Sequence, residues 1–227
     1  MSNKTFQGSQ ELLCINTEKV YDWILEEATS SQTIPVSRLG IPAAILAVIC
    51  NPAAHTTINC ILTDSMGRAL PLNSEITVTE LGPRIDRQFE VDGALVTLQR
   101  VSFTKTVFIV LEFSGVTPAT GVPFIFTTEP IPFTITETAF LCAPPGTTLV
   151  VRLTDFECQT VLNCAAGALV SVGVTLLTCQ SIQTVTPVTL ELTADFCAPR
   201  ETLIESCPTP LIPPQCPVIF PGITGGA

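Results

Sequence analysis

Apolar and polar side chains alternate with a period of two along most of this chain, and that period commits the backbone to strands. Val96 and Leu98 oppose Thr97 and Gln99, and Phe133 and Ile135 oppose Thr134 and Thr136. Val170, Val172, Val174 and Leu176 are interleaved with Ser171, Gly173 and Thr175, and Val188, Leu190 and Leu192 with Thr189, Glu191 and Thr193. Successive strand residues point to opposite faces, so each run has one apolar face to bury. Residues 107–111 are apolar on both faces, as in a central strand covered on both sides. Turn residues separate the runs at 64–67, Asp92-Gly93, 118–121, Pro144-Pro145-Gly146 and 163–167. Short strands with regular turns predict an all-β fold, a jelly-roll-like β-sandwich formed as one domain or as two packed β domains. Helical spacing competes only at 16–27, where Val20, Trp23 and Ile24 could share a helix face behind a Thr17 cap. These residues are equally good strand formers, and the segment is read as strand. The apolar run at 41–50 is broken by Pro42 and falls short of the roughly 20 residues that span a membrane, so it is read as a buried strand.

Composition then divides the chain into an N-terminal arm (1–39), a β-sandwich domain (40–137), a Cys-rich β domain or continuation of the sandwich (138–206), and a Pro-rich tail (207–227). The tail holds six prolines between 207 and 221, which favours extended backbone that cannot pair as a central strand. With Leu211, Ile212, Val218, Ile219 and Phe220 it is too apolar for a free linker, and it is expected to lie on its own domain or on a neighbour.

Several functions are disfavoured by inventory. Apolar residues make up 46% of the chain, enough for a core and against disorder. A formal net charge of −10 with no basic stripe argues against nucleic acid as a partner; the acidity is read as solubility and repulsion between copies. His55 is the sole histidine, in a loop or at a strand edge, and no Gly-x-Ser-x-Gly elbow exists, so nucleophilic triads are not expected. No Cys-x-x-Cys pair offers zinc ligands, and no phosphate loop or calcium loop is present. Asp155 and Glu157 share a strand face, and Glu26, Glu27 and Asp86 are further carboxylates, but solvated faces account for them better than glycoside hydrolysis does. The expectation is a protein that is not an enzyme, with no catalytic residue, cofactor, metal or membrane partner.

Ten cysteines remain to be explained. Cysteine at this density normally marks an oxidising destination. Yet the first thirteen residues are mostly polar and lack the apolar stretch of about 7–15 residues of a secretory signal. Synthesis in the cytosol followed by later oxidation reconciles the two. Cys50, Cys60, Cys142, Cys158, Cys164, Cys179 and Cys197 lie among the strand runs and are read as structural disulfide partners of open connectivity. Cys14 in the arm and Cys207 and Cys216 in the tail lie where a chain reaches a neighbour, and are read as intermolecular. Strand addition through Val20, Tyr21, Trp23 and Ile24, or through Val218, Ile219 and Phe220, would bring subunits together.

The two ends also resemble a known group. Leu13-Cys14-Ile15, Glu18-Lys19-Val20-Tyr21-Asp22-Trp23, Phe196-Cys197, Pro199-Arg200, Cys207-Pro208 and Pro213-Pro214-Gln215-Cys216-Pro217 are similar to segments of Cys-rich structural proteins of the bacterial endospore surface, in coat, exosporium or spore-associated filaments. The resemblance covers about forty residues and implies no catalytic residue. It implies synthesis in the mother-cell cytosol, deposition on the spore surface, self-assembly with itself and other spore-surface proteins, and late disulfide cross-linking. The expected function is therefore a structural self-assembling subunit. A β-sandwich adhesin or carbohydrate-binding module is the alternative, and a carboxylate glycosidase the third reading.

Overall fold

The computed structural model describes residues 11–194. It divides into two units, residues 20–186 and residues 1–19 with 187–227. Cys197, Cys207, Cys216, Val218, Ile219 and Phe220, with the Pro-rich tail, lie outside the described residues.

The larger unit is the all-β sandwich that the alternation predicts. The strands of the described residues are β1 (Glu11–Pro35), β2 (Thr57–Thr63), β3 (Glu75–Ile76), β4 (Val78–Glu80), β5 (Ile85–Val91), β6 (Ala94–Val116), β7 (Pro123–Thr127), β8 (Ile131–Leu141), β9 (Thr148–Ala165) and β10 (Ala168–Ala194). One sheet has the order β1-β10-β9-β3. The other is built on β6, which pairs with β5, β4 and β2 in succession and also with β8 and β7, all antiparallel. In the smaller unit, the described residues are the start of β1 and the end of β10, where the Thr189 hydroxyl donates to Asn16 Oδ1 at 2.8 Å.

The long β6 forms because residues 101, 103, 107, 109, 111 and 113 are apolar on one face, and all six are buried. Opposite them lie Val172, Val174, Leu176 and Ile182 of β10 and Leu149, Val151 and Leu153 of β9. Asp92 and Gly93 close the β5–β6 hairpin at φ 50° and 77°. Two left-handed residues give the turn that matches the twist of paired strands.

One reading changes. Residues 41–50 are not a strand: Ala43–Leu46 forms one helical turn. Pro42 precedes it, and Ile41, Ile45 and Ile49 recur every four residues, so one helical face packs into the core. Residues 11–35 are strand, as read for 16–27, and the strand runs beyond that segment in both directions. Residue 138 lies within β8, and the β1-β10-β9-β3 sheet takes strands from both sides of it.

Candidate functional site

The disulfides stitch the sandwich shut. Cys60 points inward from β2 in phase with Ile58 and Leu62, and bonds Cys158 of β9 in the opposite sheet, with Cα atoms 6.1 Å apart. Cys50, after the helical turn, bonds Cys164 near the end of β9, at a Cα separation of 6.0 Å. Cys158 reaches the interior because the β9–β10 register shifts between Cys179 and Gln180, leaving Thr154 as an extra residue on β9. Before that bulge Leu149, Val151 and Leu153 face the core; after it Phe156, Cys158 and Leu162 do. One inserted residue turns each following side chain to the other face.

Cys142 and Cys179, read from sequence as structural disulfide partners, instead carry free thiols. The phase of the strand explains Cys179: the inward positions of β10 are Val174, Leu176, Thr178 and Gln180, so Cys179 looks outward and is opposite Asp155. Cys142 directly follows β8, and its N–H donates to Asp22 Oδ2 at 2.7 Å while its carbonyl accepts from the Thr184 hydroxyl at 2.8 Å. Cys14 is exposed with a free thiol.

Of the candidate contact residues on β1, Val20, Tyr21 and Trp23 are exposed, as is Leu25. Ile24 turns inward and packs against the buried cluster that includes Val101, Phe103 and Ile182. Trp23 is 60% exposed, and its indole N–H donates to the Ser181 hydroxyl at 2.8 Å. Among the described residues, β1 pairs with β10 alone. Asp155 and Glu157 are both exposed on β9, and His55 closes a short 3-10 turn at φ 47°.

The feature the sequence reading missed is a polar cluster inside the sandwich. Lys105 of β6 has a fully buried side chain, with Nζ 2.9 Å from Glu137 Oε1 on β8. The same Nζ donates to Gln180 Oε1 on β10, and Gln180 Nε2 donates to Glu137 Oε2 at 2.5 Å. Thr178 Oγ1 lies 3.4 Å from Nζ and donates to the Ala28 carbonyl at 3.1 Å. The signal lay in the strand phase. Lys105 sits between Phe103 and Val107 on the apolar face of β6, Glu137 between Ile135 and Ala139 on β8, and Gln180, with Thr178 beside it, between Leu176 and Ile182 on β10. A polar residue at an apolar phase on each of three strands marks a point where they meet. Burial pushes the Lys105 ammonium below its ordinary 10.5, against the pull of Glu137 and Glu26.

A scan against protein-family models and searches of curated proteins and solved structures found no match. No relative therefore assigns roles to these residues.

Glu26 gives the cluster a pH signature. Burial, then the nearby Glu137 carboxylate, raises its pKa above the ordinary 4.5, with Lys105 opposing. The folded chain thus holds a proton on Glu26 in a range where the unfolded chain has released it. Stability must fall as pH rises from about 4.5 through the folded value. Urea midpoints measured against pH are expected to show this decline in the wild type and a shallower one in Glu26→Gln.

Proposed function

We propose that this chain is a structural, self-assembling subunit of a spore outer layer or spore-associated fibre, locked by disulfide cross-links. The observation that carries the reading is β1, a 25-residue strand that pairs on one side only among the described residues. A long strand with an open edge invites addition of a strand from another copy. Trp23 and Leu25 add exposed apolar surface beside that edge, and the free, exposed Cys14 on the same strand can join a thiol of a neighbouring copy. The spore location rests on the likeness of the two chain ends to spore-surface proteins, and other proteins of that surface are the proposed further partners.

The test is assembly of the purified full chain under oxidising conditions. A ladder on a non-reducing gel that collapses with reductant, and filaments or sheets by electron microscopy, are expected. Cys14→Ser should remove most of the ladder, and Leu25→Lys should block assembly while leaving thermal unfolding unchanged, because an edge lysine resists strand addition. A chain that stays monomeric at every concentration with and without reductant overturns the reading.

A further inference from the structure

The geometry points to Lys105, Glu137 and Gln180 as a self-processing site that forms an amide cross-link between Lys105 Nζ and Gln180 Cδ. The inference goes beyond assembly, because it concerns a bond within one chain and holds whether or not subunits associate. Three observations carry it. The nucleophile and the electrophile meet across the sandwich, since Nζ of β6 contacts the carboxamide oxygen of Gln180 on β10. One carboxylate touches both ends of the exchange: Glu137 Oε1 is 2.9 Å from Nζ, and Oε2 accepts from the Gln180 Nε2 that would leave, at 2.5 Å. The site excludes water, with Lys105 and Gln180 1% and 0% exposed.

The step balances without any outside reagent. Glu137 takes one proton from the Lys105 ammonium, and the freed lone pair of Nζ attacks Cδ. Glu137 then protonates Nε2 and removes the second proton from Nζ. The Cδ–Nε2 bond breaks with its electron pair on nitrogen, and ammonia departs, taking the remaining proton from Glu137 as ammonium. The products are a secondary amide, an ammonium ion and the original Glu137 carboxylate. Holding a nucleophile, an acceptor and a proton carrier in contact turns a slow bimolecular exchange into an intramolecular one. Burial also disfavours the charged form of a lysine, which supplies the neutral amine the attack requires. The cross-link would join the two sheets at positions 75 residues apart.

Intact mass spectrometry of the fully reduced, full-length chain tests this. The wild type is expected to weigh one ammonia, about 17 Da, less than its sequence mass, since each amide formed from lysine and a carboxamide releases one. Trypsin should fail to cut after Lys105, and fragmentation should find residue 105 linked to residue 180. Glu137→Gln, which keeps the shape and removes the proton carrier, is expected at full mass with residues 101–105 released by trypsin. A wild-type chain at full mass with those residues released overturns the proposal. So does an ammonia loss that maps to any other residue, and a Glu137→Gln chain that cross-links completely overturns the part assigned to Glu137. The wild-type measurement decides the main point even where the variant does not fold.

Discussion

A chain with Cys50, Cys60, Cys158 and Cys164 all replaced by alanine is expected to lose about 8 kcal/mol of stability, while loss of either bridge alone costs only about 3. The difference follows from nesting. The Cys60–Cys158 loop lies wholly inside the Cys50–Cys164 loop, with sequence separations of 98 and 114. When one bridge is already closed, the second restrains only the ten residues from 50 to 60 and the six from 158 to 164. A loop of that size contributes about 3 kcal/mol, and a loop near 100 residues about 5. The first bridge removed therefore costs the small loop, and the second costs the large one. Set against a typical domain stability of about 5–15 kcal/mol, the double loss takes most of what holds the sandwich together. Equilibrium urea unfolding of the two pairwise variants and the fourfold variant measures this. Two single losses near 5 kcal/mol that add would show that the bridges restrain separate parts of the unfolded chain.

Lys105→Met is expected to cost about 3–5 kcal/mol, because it leaves the Glu137 carboxylate inside the sandwich without its cation. The comparison that isolates burial is Arg68→Met. Arg68 also pairs with a carboxylate, Asp64, at 2.7 Å, yet its side chain is 79% exposed. Water screens that pair, so its loss is expected to leave stability almost unchanged. The urea midpoint of Lys105→Met should fall well below that of Arg68→Met; equal shifts would mean that water reaches the interior cluster. Where the amide with Gln180 has formed, losing Lys105 also opens the 75-residue loop it closes, and the cost rises further.

The sequence carried the fold because side-chain alternation reports directly on which face of a strand is buried. It set Phe133 and Ile135 on the face opposite Thr134 and Thr136, and Val172, Val174 and Leu176 on one face of their strand, and these apolar residues are buried. It misjudged 41–50 because a short apolar run has no clear period until the spacing of Ile41, Ile45 and Ile49 is read against the proline before it. Disulfide pairing was beyond reach, since the Thr154 bulge decides which face of β9 carries Cys158, and a bulge leaves almost no trace in local composition. The Lys105 cluster was legible strand by strand, as a polar side chain at an apolar phase on each. Recognising it as one site needed the facing of β6, β8 and β10, which involves residues far apart in the chain.

The pairing of β1 with β10 has a consequence for the order of events during synthesis. The first and last described strands are neighbours, so a growing chain cannot complete that sheet until residues 168–194 have left the ribosome. Contacts between distant segments are entropically slow to close. The chain also has one tryptophan, Trp23, whose indole nitrogen bonds to Ser181 on β10. Its fluorescence is thus a built-in reporter of the final docking step, and a refolding trace should show that signal changing last.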